Sequence, residues 1–199
     1  MQEQEIPFSQ ACENNKQAIL NILQLAFANI NVVLEIGSGT GQHAVYFAKH
    51  LPHLSWQTAD QLEYHAAIKH YLQHYPSPNL NAPIALKIPL DDIPENQYDG
   101  FFTANTAHIM QENEVQHMMQ TINRVLPENG VFCQYGPFTQ NGEFNSQSNA
   151  DFHQKLIDNG RGGYRDIEEL QAWAPQLIVD NIVQMPANNL MLIWQKRRK

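Results

Sequence analysis

Residues 31–42, Asn-Val-Val-Leu-Glu-Ile-Gly-Ser-Gly-Thr-Gly-Gln, narrow the possible folds more than any other segment of the chain. Asn31 to Ile36 has the apolar, β-branched composition of a short buried strand, and Gly37, Gly39 and Gly41 follow at alternate positions. The next residues, about Gln42 to His50, place Ala44, Val45, Phe47 and Ala48 at helical spacing. A strand that turns through glycines into a helix opens a parallel α/β sheet. In such sheets ligands bind at the carboxyl ends of the strands, where the strand order reverses.

The rest of the chain extends this pattern. A helix is expected over about Ser9 to Ala28, with Ile19, Ile22, Leu23, Ala26 and Phe27 forming its apolar stripe. Leu54 to Thr58 reads as a second strand ending at Asp60, and Leu62 to Tyr75 as a helix stopped by Pro76 and Pro78. Ile84 to Ile88 is the expected third strand and Tyr98 to Ala104 the fourth. Val115, Met118, Met119, Ile122, Val125 and Leu126 mark a helix that Asn129-Gly130 ends, before a fifth strand at Val131 to Tyr135. A loop at 139–150, a helix around 151–158, a Gly-rich turn at 160–163 and a helix from about Asp166 to Ala174 follow. The last two strands, Leu177 to Gln184 and Asn189 to Gln195, are joined so tightly that they must be antiparallel. Five strand–helix units and a hairpin predict one α/β domain, an open and mostly parallel sheet with one antiparallel strand and helices on both faces.

Charge limits the partners. Of 199 residues, 20 are acidic and 12 basic, a net charge of -8, and four of the basic residues are the terminal Lys196 to Lys199. The acidic body argues against broad nucleic-acid or anionic-membrane binding. Cys12 and Cys133 form no disulfide or zinc pattern, and no apolar stretch reaches the ~18 residues of a membrane span. The opening Met-Gln-Glu-Gln-Glu-Ile-Pro-Phe has neither a basic start nor an apolar signal core, so a cytoplasmic protein is expected. Nine histidines include His70 and His74 four apart on a helix, with His65, His50 and His53 nearby, but without an accompanying ligand motif no metal site is expected.

The glycines are spaced G-x-G-x-G, and Gln42 stands where a dinucleotide-binding fingerprint requires its third glycine. An NAD-dependent oxidoreductase is therefore disfavoured. Glu35, at the end of a buried strand, suits a ligand bearing an ammonium group, and S-adenosylmethionine has one. Asp60, with Gln61 beside it, ends the second strand about 20 residues downstream, where an acid accepts hydrogen bonds from ribose hydroxyls. Without these acids the loop would read only as a tight turn between strand and helix.

Leu34 to Ala48 resembles the first motif of class I S-adenosylmethionine-dependent methyltransferases, and the chain more narrowly resembles an uncharacterised family of small methyltransferase-like proteins. The narrower resemblance extends to Phe8 to Lys16, Thr103 to Met110, Tyr135 to Phe138, Ser148 to Phe152, Arg165 to Leu170 and Met185 to Leu190, nearly the whole chain. It implies a Rossmann-like fold of seven strands, with residues 31–138 as the cofactor-binding core. Residues 1–30 would be an N-terminal helical segment, and 139–199 a substrate-side insertion, last helix and hairpin. By the class pattern Glu35, Gly37, Ser38, Gly39 and Gly41 line the methionine end of the cofactor and Asp60 holds the ribose. Leu90 and Asp91, after the third strand, are the candidates for the adenine.

Methyl transfer from a sulfonium is an in-line displacement, so positioning and exclusion of water carry most of it, and a base is needed only for an acceptor that must lose a proton. Asn105 and His108 follow the fourth strand at its carboxyl end, and His108 is the candidate base, or else a residue that caps the next helix. Tyr135 is placed to orient an acceptor, or to lie half buried under the following loop. Lys16, Asp151 and Arg165 are candidates on the substrate side, Arg165 either as a clamp for an anionic group or as a partner of Glu168 or Glu169 on its own helix. Glu13, Asn14, Asn15 and Lys16 would form a lid by the same resemblance. The expected function is methylation of a small molecule. A non-catalytic cofactor-binding scaffold and a protein or nucleic-acid methyltransferase are the alternatives.

Overall fold

The computed structural model describes residues 7–197. Residues 1–6, which carry most of the segment read for a signal sequence, and the last two residues of the basic tail lie outside that range. The chain runs α1 (Gln10–Ala26), β1 (Val32–Ile36), α2 (Gln42–His50), β2 (Ser55–Asp60), α3 (His65–His74), β3 (Leu80–Ala85), β4 (Gly100–Ala104), α4 (Glu112–Val125) and β5 (Val131–Gly136). It continues with β6 (Phe138–Thr139), α5 (Gln147–Asp158), β7 (Arg165–Asp166), α6 (Ile167–Trp173), β8 (Leu177–Met185) and β9 (Asn189–Lys196).

The main sheet has seven strands in the order β3-β2-β1-β4-β5-β9-β8, and only β9 runs against the others. Order reverses between β1 and β4, which pair in parallel from Val33 opposite Gly100 to Glu35 opposite Phe102. The glycine loop leaves β1 at this switch point.

Alternation along the strands divides the core into two layers. Leu34, Ile36, Phe101, Phe132 and Trp194 pack beneath Val115, Met118, Met119 and Ile122 of α4 and Leu170 of α6. On the opposite face Val33, Trp56, Phe102 and Cys133 meet Ile19, Leu23 and Phe27 at α1, with Ala44 and Phe47 of α2. Glu35 shares the second face with Val33, which directs its carboxyl towards Trp56. Ser9 caps α1 by accepting from the Cys12 amide, and Gln111 and Glu114 form a reciprocal capping box at α4. Among the described residues no helix is long and apolar enough to cross a membrane.

Several boundaries differ from the expectations. The third strand is Leu80–Ala85 rather than Ile84–Ile88, because Leu80 pairs with Trp56 on the sheet edge, where Pro83 removes no required donor. Leu86 and Ile88 supply the apolar signal from a connection that folds back into the core. No helix joins β3 to β4, so the pattern is not five complete strand–helix units. Helix α5 begins at Gln147, four residues before the expected 151, because Ser146 caps it. Phe138–Thr139 and Arg165–Asp166 form a separate two-stranded parallel sheet within segments expected to be a loop and a helix start. Two-residue strands carry too few side chains to show an alternating pattern.

Phe102 is fully buried on the central strand β4, with its ring 5.4 Å from that of Phe47 and 5.8 Å from that of Trp56. Phe102→Ala is expected to destabilise the fold by about 3–5 kcal/mol through lost burial and a residual cavity. Urea unfolding should show a lower midpoint with an unchanged slope.

Candidate cofactor and acceptor site

The three glycines of the loop do different work. Gly37 (φ 76°) lies so close to Thr106 that an added Cβ would stand 2.5 Å from Thr106 Cγ2. At Gly41 (φ 87°) a Cβ would press on the backbone of Ile68 at 3.2 Å. Gly39 (φ 56°) has no heavy atom within 4 Å of a built Cβ, so its open side faces space that a ligand can enter. The Gly37 and Ser38 amides donate to the Ala59 carbonyl at 2.9 and 3.1 Å, and these bonds hold the loop against the end of β2.

Two carboxyl groups converge on this loop. Glu35 is 2% exposed, and its Oε2 accepts from Trp56 Nε1 at 3.1 Å and from Ser38 Oγ at 3.0 Å; neither bond reaches Oε1. Burial lifts its pKa to about 7 despite these donors, and the charge of Asp60 adds to the rise. Asp60 accepts from the Gly39 amide on Oδ2 and the Gln61 amide on Oδ1, both at 2.7 Å, yet burial still raises its pKa. Two buried acids beside an open glycine backbone form a site in which a cation relieves the penalty at Glu35 and hydroxyl donors relieve that at Asp60. The residues therefore fit the ammonium and ribose of S-adenosylmethionine. Gln61 contributes its backbone here, and Ser38 orients Glu35.

Leu90 and Asp91 stand apart from this group. Leu90 is exposed, Asp91 accepts from the Lys87 amide at 2.7 Å, and both line a cleft of about 450 Å³ with His117 and Arg124 that includes no residue of the glycine loop. Leu86 comes closer, donating its amide to the Asp60 carbonyl at 3.0 Å, and a His65 ring nitrogen lies 3.0 Å from the same oxygen. A larger groove of about 1020 Å³ lies at the amino ends of the strands, where it includes Ile30 before β1 and Val131 at the start of β5. It is therefore at the wrong end of the sheet for the loop.

After β4 the chain turns sharply. Asn105 adopts a left-handed conformation (φ 59°), tolerable for Asn, and donates its amide to the Tyr135 carbonyl at 2.9 Å. Thr103 Oγ1 donates to the Ile36 carbonyl at 2.8 Å and also meets Thr106 Oγ1, so the turn is fixed to the glycine loop. His108, two residues past Thr106, is buried, and burial depresses its pKa to about 4. Its ring lies against Phe152 and Tyr164, with centroids 6.0 and 6.4 Å away.

Tyr135 is 3% exposed, more deeply placed than under a loop. The Asn15 and Asn189 side chains hydrogen-bond its hydroxyl, and burial outweighs them to raise its pKa. Asn15 Oδ1 also meets His43 Nε2 at 2.7 Å, and burial lowers the pKa of His43 to about 4. At the head of α1, the Ser9 amide donates to Gln42 Oε1 at 2.6 Å. This network brings α1, α2, β5 and the β8–β9 turn together beside the loop. Asn15 enters the sequence reading only as part of a lid and Gln42 only as the residue that breaks the dinucleotide fingerprint, while His43 and Asn189 are not singled out, because isolated polar residues in separate elements carry no spacing signal.

The remaining candidates are dispersed. Lys16 pairs with Glu13 and lies 4.8 Å over the Tyr46 ring. Asp151 is exposed and accepts from Gln147 Nε2 on its own helix. Arg165 is buried, with Nη2 donating to the Gly162 carbonyl and Nη1 3.7 Å from Glu112 Oε2. It does not pair with Glu168, which instead accepts from the Asn141 amide, because β7 carries Arg165 towards the start of α4. His70 and His74 stack at 4.2 Å, and no group of three or more His, Cys, Asp or Glu residues that could hold a metal occurs among the described residues.

Solved structures similar to this one include methyltransferases. An O-methyltransferase family 2 protein from Planctomyces limnophilus DSM 3776, in complex with apigenin, superposes with a TM-score of 0.81 at 15% identity over 94% of this chain and 58% of that one. Human N-acetylserotonin methyltransferase in complex with SAM gives 0.72 at 13% identity, over 92% and 55%. The chain thus spans little more than half the length of these structures, and the likeness is one of fold: a Rossmann-like methyltransferase sheet. A family model described as Protein of unknown function (DUF938) matches residues 6–196. The chain belongs to that family.

Proposed function

We propose that the protein is an S-adenosylmethionine-dependent methyltransferase acting on a small-molecule acceptor. The observation that carries this reading is the buried Glu35 carboxyl, paired in space with Asp60 across a glycine loop whose open side is Gly39. The SAM and apigenin in the similar structures support the same cofactor and a small acceptor. The acidic body of the chain disfavours a nucleic-acid acceptor.

S-adenosylmethionine, when bound, supplies a methyl group on a sulfonium and leaves as S-adenosylhomocysteine. The chain's own residues hold and orient. Glu35 receives the ammonium and is kept in place by Ser38 and Trp56, while Asp60 receives the ribose hydroxyls. The Asn105 turn forms the wall between cofactor and acceptor. His108 borders that wall and is neutral, but with its pKa lowered to about 4 it is a weak base, suited only to an acceptor that loses its proton readily. Tyr135 positions α1 through Asn15.

Only ionised Glu35 favours the ammonium group, so cofactor affinity is expected to fall as pH drops below about 7, approaching tenfold per pH unit. Calorimetry near pH 7 should record proton release on binding. Glu35→Gln and Asp60→Ala should each weaken binding at least tenfold. No binding at millimolar S-adenosylmethionine, or undiminished binding by Asp60→Ala, would remove the basis of the proposal.

The same group gives a stability prediction. Glu35 has a raised pKa in the folded state, so the native protein binds more protons than the unfolded chain between about pH 4.5 and 7, and stability falls as pH rises through that window. Relative to wild type without cofactor, Glu35→Gln should therefore gain about 3 kcal/mol on going from pH 4.5 to 7. Urea unfolding of both proteins at the two pH values measures the difference. An equal offset at both would show that Glu35 ionises normally.

A further inference from the structure

We infer that the acceptor site takes a flat, uncharged aromatic molecule, held against the rings of Phe152, Tyr164 and His108. This rests on the methyltransferase reading and names its substrate class. The location follows from chain contacts: Thr106 packs on Gly37, and His108 follows two residues later. Phe152 stands edge-on to His108 at 6.0 Å and to Tyr164 at 6.3 Å, and the Phe144 ring lies 5.7 Å from that of Tyr164.

The backbone is shaped to bring these rings together. The Gly163 amide donates to the His108 carbonyl at 3.1 Å, and a Cβ at Gly163 (φ 78°) would collide with the His153 ring at 2.8 Å. A Cβ at Gly162 would overlap the Met110 carbonyl. The two glycines therefore let the 160–164 turn close on the segment carrying His108.

The chemistry of the wall selects the ligand. Phe152 is 44% exposed beside buried His108 and Tyr164, so an aromatic face is offered to solvent against the residue that follows Thr106 by two positions. The Tyr164 hydroxyl and the His108 ring are both uncharged at neutral pH. Of the Arg165 guanidinium, Nη2 donates to the Gly162 carbonyl and Nη1 faces Glu112 at 3.7 Å, so these two nitrogens are already engaged. An aliphatic polar acceptor would cover the rings without satisfying their preference for edge and face contacts.

The test titrates the full chain, with and without saturating S-adenosylhomocysteine, using 1-naphthol and a hydroxyflavone as aromatic probes and ethanolamine and glycerol as aliphatic ones. NMR line shifts read out binding. The aromatic probes should bind, and Phe152→Ala should weaken them at least tenfold while changing S-adenosylhomocysteine affinity less than twofold. Phe152→Tyr should restore them. No aromatic binding in either state, preference for the aliphatic probes, or unchanged binding by Phe152→Ala would overturn the inference. Failure of S-adenosylhomocysteine itself to bind would instead overturn the cofactor reading, and aromatic binding in its absence would still decide the acceptor class.

Discussion

A carboxyl group buried at the end of a central strand is the constraint around which this site is built. Glu35 gives up solvent, and two hydrogen bonds, from Trp56 on β2 and Ser38 on the loop, offset only part of the cost, so its proton is retained to about pH 7. Ser38 also accepts from the Ala59 amide at 3.2 Å, which ties the acid to the same strand end that carries Asp60. The loop, the two acids and the first parallel strand pair thus form one mechanical unit. A ligand cation is the simplest partner for such a unit, because it removes the desolvation penalty that the protein alone leaves in place.

The second half of the site depends on close approach between backbone segments. Gly37 admits Thr106, the left-handed Asn105 turns the chain off β4, and Gly162 with Gly163 allows the 160–164 segment to meet His108. The glycine loop and the rings around His108 are consequently linked through a few residues of chain. The network of Asn15, His43, Tyr135 and Asn189 sets α1 over the same region from the other side. Catalysis by positioning requires this kind of fixed geometry.

What the sequence disclosed follows from which signals are local. The places of Glu35, the glycines and Asp60 in the fold were readable because a strand end, a turn and a second strand end occur at short, fixed separations. The parallel order and the antiparallel β9 followed from connection lengths. The third strand was displaced because Leu86 and Ile88, beyond the end of β3, are apolar for a reason other than strand pairing, namely their burial in the connection that follows. Tyr135 and Arg165 were named as candidates, but their partners Asn15, Asn189, Gly162 and Glu112 lie far away in sequence, and no periodicity reports such contacts.

The central claim is that Glu35 is the ammonium-binding acid of a cofactor site. Its ionisation can be followed directly by carbon-13 NMR of the side-chain carboxyl in protein labelled at glutamate, with Glu35→Gln identifying the resonance. A midpoint near pH 7 is expected in the free protein, and a lower one when S-adenosylmethionine is bound. A Glu35 midpoint that is ordinary in the free protein, or that S-adenosylmethionine leaves in place, would contradict it.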